Sequence, residues 1–118
     1  MNIYVFQQSV REALDGRVPF CDDYNQDCIV IINSDYELSA DLRNAYVISC
    51  GMNNKATFTV SSVECNKAVI CLQRNIIDIY GGTIEPQEYA VPLTEGMDID
   101  TFLIFFAVCV VAHVKYVE

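Results

Sequence analysis

The sequence predicts a mixed α/β domain, and three patterns along the chain lead to that prediction. Two continuous apolar runs rich in β-branched residues, 28–33 and 45–51, are typical of parallel strands buried on both faces. From residue 52 onward, short apolar stretches alternate with turn residues, which is typical of an antiparallel meander. One long apolar run lies at residues 102–112. We therefore expect two buried, parallel strands continued by a meander, with a short N-terminal helix and an apolar C-terminal helix packed on the sheet.

The first predicted elements are a strand and a short helix. Residues 2–6 read NIYVF and predict the strand. Val10, Ala13 and Leu14 then share one helical face. Ser9 is a candidate N-cap and Gly16 is a candidate stop signal, so we expect a helix of about two turns between them.

The two buried strands are joined by residues 34–44, which predict a short helix or helical turn. A strand, a short helix and a strand in this order predict a small crossover connection between parallel strands. The meander that follows is expected to contain four short strands. These are residues 56–63, 68–73, 76–81 and 88–93.

The last predicted element is an apolar helix. Asp98 or Asp100 can cap its N-terminus, and we expect the helix to continue through Val114. The β-branched content of residues 101–114 leaves a strand open as the alternative. The length of the segment favours a helix, because strands rarely exceed about ten residues.

The apolar run in this helix excludes a simple membrane span and requires burial. Eleven consecutive apolar residues, 102–112, fall short of the roughly twenty that a spanning helix needs. A helix that is apolar on nearly all sides must be buried in the core or in a dimer interface. Phe105 and Val108 are therefore the candidate interface residues.

Composition limits the class of partner. The chain has 118 residues and is expected to form a single domain, 1–118. Hydrophobic residues make up 53% of it, which favours partial burial against a protein partner or a second copy. The net charge of −9 repels nucleic-acid phosphates, so binding to nucleic acid is disfavoured and a basic protein partner or cationic ligand is favoured. The simpler alternative is an acidic surface that has no specific partner.

The six cysteines predict thiols rather than a disulfide framework. The N-terminal residues do not have the pattern of a signal peptide, and the chain contains no Cys-x-x-Cys pair. We therefore expect a reduced protein located in the cytoplasm. Cys21 and Cys28 flank the acidic loop CDDYNQDC and are the only pair for which we consider a local disulfide.

The order of motifs resembles part of a known enzyme family. The stretch IVIINSDYE, residues 29–37, is similar to the V-V-N-x-D-D strand end of Mur ligases, the ATP-dependent amide ligases of peptidoglycan precursor synthesis. The stretch AYVISCGMNNKATFTVSSV, residues 45–63, resembles the segment that follows in that family. A meander and a helix after a glycine then come in the same order, so the resemblance covers about residues 28–113. It implies the part of the central ATPase domain that follows the phosphate loop.

The catalytic motifs of that family are absent from this sequence. No glycine-rich loop ends in Gly-Lys-Ser or Gly-Lys-Thr, and Tyr36 replaces the family's second acid. The G-x-H-N before the helix is G-M-D-I at residues 96–99. Asn33 and Asp35 do match their motif, and the resemblance makes them candidate ligand-binding residues.

Two further positions carry candidate chemistry. Arg74 stands between two predicted strands in a chain with only seven basic residues, so it must reach solvent or pair with an acid, and it is also a candidate for binding an anionic ligand. His113 is the only histidine and follows Cys109 by four residues, a spacing that lets two helical side chains share a ligand or form a nucleophile pair. The simpler interpretation of His113 is a residue at a helix C-terminus.

The acidic clusters are weaker candidates. Asp22, Asp23 and Asp27 lie close together, but their loop lacks the glycine and the terminal glutamate of a calcium loop. Glu85 and Glu88 flank a proline in an exposed turn, where nothing predicts the split pKa values of an acid–base pair.

Three functional hypotheses remain open. The first is a non-catalytic cytoplasmic binding or accessory protein that acts through protein–protein contacts and self-associates. The second is a degenerate Mur-ligase-like ligand-binding domain that needs a partner to supply the phosphate loop. The third is an acidic inhibitor of a basic nucleic-acid-binding protein. No catalytic residue, metal site or cofactor is predicted, and the missing phosphate loop, triad and metal motif favour a non-enzyme.

Overall fold

The computed structural model describes residues 1–23, 27–35, 42, 45–93 and 96–115. The strands are β1 (Asn2–Val5), β2 (Cys28–Asn33), β3 (Tyr46–Cys50), β4 (Phe58–Glu64), β5 (Lys67–Leu72), β6 (Ile76–Ile77), β7 (Thr83–Ile84) and β8 (Gln87–Pro92), and the helices are α1 (Gln8–Ala13) and α2 (Ile99–Ala112).

The main sheet is mixed and has six strands in the order β1-β2-β3-β4-β5-β8. Strands β1, β2, β3 and β4 run parallel to one another, whereas the β4–β5 and β5–β8 pairs are antiparallel. The prediction of parallel strands that continue into an antiparallel meander is thus confirmed, and β1 joins the parallel set. The predicted burial holds for most of β2 but is wrong for β3, where Tyr46 and Val47 are 37% and 38% exposed. The predicted helical segment 34–44 lies outside the described residues except for positions 34, 35 and 42.

One predicted strand of the meander is wrong. The chain at residues 76–81 contributes only the two residues of β6, which pair with β7 in a separate two-stranded ladder. Asp78 ends the strand because its carboxylate accepts hydrogen bonds from the backbone of the next turn, so the chain reverses there.

Helix α1 is amphipathic, as expected, but its predicted cap is wrong. Val10 and Leu14 are fully buried, whereas Ala13, which was predicted on the same face, is exposed. The N-cap is Gln7 rather than Ser9, and no side chain caps the helix. The Gln7 side chain instead donates to Thr101 Oγ1 at 2.6 Å, which ties the end of β1 to the start of α2.

Helix α2 confirms the helical alternative for the C-terminal run. Asp98 Oδ1 accepts the Thr101 backbone N–H at 2.8 Å, which is the predicted cap. The helix ends at Ala112, two residues before the predicted end, because His113 adopts the left-handed conformation (φ 56°). Burial rather than patterning supports this helix, since most of its side chains are buried in the core.

The core lies mainly between the sheet and the two helices. Phe106 sits at its centre and makes edge-to-face contacts with Phe58 and Tyr89. The opposite face of the sheet has a smaller buried cluster formed by Cys21, Cys28 and Val30. Among the described residues, no helix is long and apolar enough to cross a membrane.

Candidate functional site

The ends of β2 and β3 meet at the carboxyl edge of the parallel sheet, the usual ligand position in α/β folds. Asp35 Oδ2 accepts the Met52 backbone N–H at 2.9 Å, and Asp35 Oδ1 accepts Asn53 Nδ2 at 3.0 Å. Asn33 Oδ1 accepts the Asp35 N–H at 2.9 Å. We refer to this set of hydrogen bonds between residues 33–35 and 51–55 as the carboxyl-edge network.

Gly51 lets the two loops of this network approach closely. A Cβ atom at Gly51 would lie 2.5 Å from Ser34 Oγ and 2.8 Å from Asp35 Oδ1. Both contacts are closer than real Cβ atoms allow. A side chain at residue 51 would therefore have to displace Ser34 and Asp35, and glycine avoids this displacement.

Arg74 lies at the same edge. Its Nη2 donates to the Lys55 carbonyl oxygen at 2.7 Å, and the guanidinium is exposed to solvent. The structure therefore brings the three predicted ligand-binding residues, Asn33, Asp35 and Arg74, to one end of the sheet. Their described hydrogen bonds are made to the loops, so the arrangement stabilises the loop conformation, and ligand binding by these residues stays a prediction.

A second polar cluster lies at the opposite, amino edge of the sheet. The N-terminal ammonium donates to the Ile79 carbonyl oxygen at 3.0 Å, which places the β6–β7 turn beside the start of β1. In that turn, Asp78 Oδ1 accepts the N–H groups of Tyr80 and Gly82 at 2.8 and 2.9 Å. Asp78 Oδ2 lies 2.7 Å from His113 Nε2. The Asp78 carboxylate therefore joins the turn to the end of α2.

Hydrogen bonds and burial have opposite effects on the ionisation of the Asp78 carboxylate. The hydrogen bond from His113, together with those from the backbone of Gly82 and Tyr80, lowers the pKa of Asp78 against the opposing effect of burial. The carboxylate is thus ionised near neutral pH and can only accept. His113 must carry a proton on Nε2, either as the neutral tautomer or as the cation.

A pocket of about 290 Å³ opens beside His113. Its lining residues come from β7, from β8 and from the end of α2, and we call it the amino-edge pocket. The lining residues are Ile84, Tyr89, Cys109, Val110, His113 and Val114. Tyr80 lies against the His113 ring, with 5.6 Å between the ring centroids, and is 76% exposed. The pocket therefore combines an apolar interior with one polar ring and a neighbouring exposed aromatic side chain.

Cys109 and His113 both line this pocket, as their spacing suggested, but they do not form an activated pair. Burial raises the pKa of the Cys109 thiol to about 12, with only a smaller opposing effect from Arg17. The thiol is therefore protonated at neutral pH, and a thiol is a poor nucleophile. His113 forms its side-chain hydrogen bond with Asp78. The pocket is consequently suited to binding rather than to thiol chemistry.

The remaining predicted residues occupy structural positions. Arg11 pairs with Asp22, and no group of three metal-ligating side chains occurs in the part of the chain that the structure describes. Cys21 and Cys28 are buried thiols that are not joined by a disulfide. Burial and the neighbouring Cys21 raise the pKa of Cys28 to about 11.

The two candidate interface residues differ in their accessibility. Val108 is fully buried in the core, so its side chain is out of reach of a partner in this conformation. Phe105 is partly exposed and stacks on Phe102. Self-association through α2 stays a prediction, and it now depends on Phe105.

The Asp78–His113 pair is the feature that sequence reasoning missed. The stretch DIYGG signals a turn, because an aspartate followed by glycines is a common turn composition. The partner of Asp78 lies 35 residues away, and no local pattern indicates that contact.

Comparison with known proteins adds no further constraint on function. No family model, curated protein or solved structure matches the chain.

Proposed function

We propose that this protein is a non-catalytic cytoplasmic binding domain that acts through protein–protein contacts made at the amino-edge pocket. The observation that carries the proposal is an apolar pocket of about 290 Å³ next to Tyr80, an aromatic side chain that is 76% exposed. Aromatic residues beside a pocket are typical of the few positions that contribute most of the binding energy in protein interfaces.

The state of the nearby reactive groups supports a non-catalytic role. The Cys109 thiol is buried and protonated, and the ionised Asp78 carboxylate is occupied by its three hydrogen-bond donors. Cys50 and Cys109 are packed in the core as small apolar side chains, which fits a protein of a reducing compartment such as the cytoplasm.

Affinity capture from the native host tests the proposal. We expect Tyr80→Ala to lose the captured partner, whereas Met52→Ala retains it. Met52 is a matched control because it is also well exposed (46%) but lies at the carboxyl edge, away from the pocket. Capture that is unaffected by Tyr80→Ala, or lost equally with both variants, would contradict the proposed surface.

A Mur-ligase-like ligand-binding role is the second candidate. One observation favours it, since Asn33 and Asp35 lie at the carboxyl edge of parallel strands, where α/β proteins bind ligands. This candidate predicts a higher melting temperature with ATP or with UDP-sugar peptides. No shift across a nucleotide panel would eliminate it.

A further inference from the structure

Two basic residues, Arg17 and Lys115, lie close to the residues that line the amino-edge pocket. Arg17 Nη2 donates to the Lys115 carbonyl oxygen at 2.9 Å, and Lys115 directly follows the pocket residue Val114. Arg17 is also near enough to the pocket residue Cys109 for its charge to oppose the rise in that thiol's pKa. The Arg17 guanidinium and the Lys115 backbone therefore lie beside the same apolar pocket.

These charges are available to a ligand. Arg17 and Lys115 are exposed, and neither has a carboxylate partner within 4.0 Å in the described ranges. The chain has 16 acidic residues and only seven lysines and arginines, which gives a net charge of −9. Two basic residues close to one pocket, neither with an acidic partner among the described residues, contrast with this overall negative charge. Local charge of this kind favours an anionic group.

The pocket itself favours a single apolar group. Its volume of about 290 Å³ lies at the lower end of the range for ligand pockets, roughly 300–1,000 Å³. Its walls include Ile84, Val110 and Val114, which can surround one aliphatic or aromatic side chain. The ligand therefore needs an apolar group and an anionic group only a few bonds apart.

We propose that the amino-edge pocket binds the C-terminal residue of a partner protein, with an apolar side chain in the pocket and the terminal carboxylate paired with Arg17 and Lys115. This proposal rests on the proposed function, because it specifies the partner of the same surface. A C-terminal residue carries both groups on one Cα atom. An internal acidic residue would place the apolar group and the anionic group on two separate side chains, and ordering two side chains would cost more conformational entropy.

Fluorescence polarisation with short labelled peptides tests this proposal on the full chain. The peptides end in leucine, phenylalanine or valine and carry either a free carboxylate or a C-terminal amide. We expect the free-carboxylate peptides to bind, and the matching amides to bind about tenfold more weakly, since they lose a charge-assisted contact. Lys115→Gln should weaken binding of the free-carboxylate peptides severalfold. Lys55→Gln, the same charge change at the carboxyl edge, should leave their binding unchanged.

A pocket-filling variant adds an independent test. Val114→Trp should abolish peptide binding while the circular dichroism spectrum stays unchanged, because residue 114 lies beyond the end of α2. Equal binding of acid and amide peptides would overturn the proposed carboxylate recognition. Competition by free isocaproate at the same concentration as the leucine peptide would overturn a chain terminus as the ligand. Absence of peptide binding, while Tyr80→Ala still loses the captured partner, would overturn this inference and leave the proposed function standing.

Discussion

Replacing Asp78 by alanine should destabilise the protein, because it removes the carboxylate that joins the β6–β7 turn to the end of α2. The carboxylate accepts from the backbone N–H groups of Tyr80 and Gly82 and from His113. The two amides are partly buried, and leaving each without an acceptor costs about 1 kcal/mol. The pair with His113, whose side chain is 53% exposed, adds at most about 1 kcal/mol. We therefore expect the free energy of unfolding to fall by about 2–3 kcal/mol.

Urea unfolding followed by circular dichroism measures this loss. Asp15→Ala is the control, because Asp15 is also an aspartate in a turn but is exposed and makes no side-chain hydrogen bond within the described residues. We expect the control to stay within about 0.5 kcal/mol of the parent protein. An Asp78→Ala midpoint equal to that of the control would refute the stabilising role of the carboxylate.

The same pair gives a pH dependence with a definite sign. The pKa of Asp78 is lowered in the folded state, so its stabilising contribution is present above the unfolded pKa of about 3.9. That contribution is lost as the pH falls below about 3.9 toward the folded pKa. The difference in unfolding free energy between Asp78→Ala and the parent should therefore be constant from pH 5 to 6 and shrink below pH 4. A difference that grows on acidification would contradict the assignment.

Three further substitutions test the packing and the two ends of the sheet. Gly51→Ala should lower the free energy of unfolding by about 1–2 kcal/mol, because the new Cβ atom would lie 2.5 Å from Ser34 Oγ. Adding Ser34→Ala to the same chain should recover part of that loss. Additive losses in the double variant would contradict this explanation. Phe106→Ala should cost about 3–5 kcal/mol in denaturant unfolding, since the ring is fully buried, and a loss below 1 kcal/mol would show that the core packs differently. Phe105→Asp should stay folded and convert a dimer into a monomer in light scattering, and a monomeric parent would contradict self-association through α2.

Much of the fold could be predicted because its signals are local. The run CIVIIN, residues 28–33, contains four consecutive β-branched residues, so it predicted a central strand from the sequence alone, and its first four residues are buried. The apolar run after Asp98 was too long for a strand, and that length alone favoured helix α2.

The errors arise where tertiary contacts outweigh local propensity. Ser9 has the chemistry of a helix cap, yet the helix begins one residue before it at Gln8, after a Gln7 side chain that bonds Thr101 instead. The strand expected at residues 76–81 stops early because Asp78 bonds its own turn and His113. Both outcomes depend on partners more than 30 residues away, which local pattern cannot reveal.

The two candidate sites also differ in how far the sequence predicts them. Asn33 and Asp35 were found by motif, and the order of the strands was enough to place them at one edge. The amino-edge pocket could not be anticipated, because its walls come from β7, β8 and α2 and meet only after the chain folds.

Site-specific photo-crosslinking in the native host tests the central claim most directly. A photoreactive phenylalanine analogue is placed at residue 80, beside the pocket, or at residue 52, at the carboxyl edge, where exposure is also substantial. A partner bound at the amino-edge pocket predicts a covalent adduct with another protein from residue 80 and none from residue 52. An adduct from residue 52 alone, or no adduct from residue 80, would contradict the claim that this protein binds its partner at the amino edge.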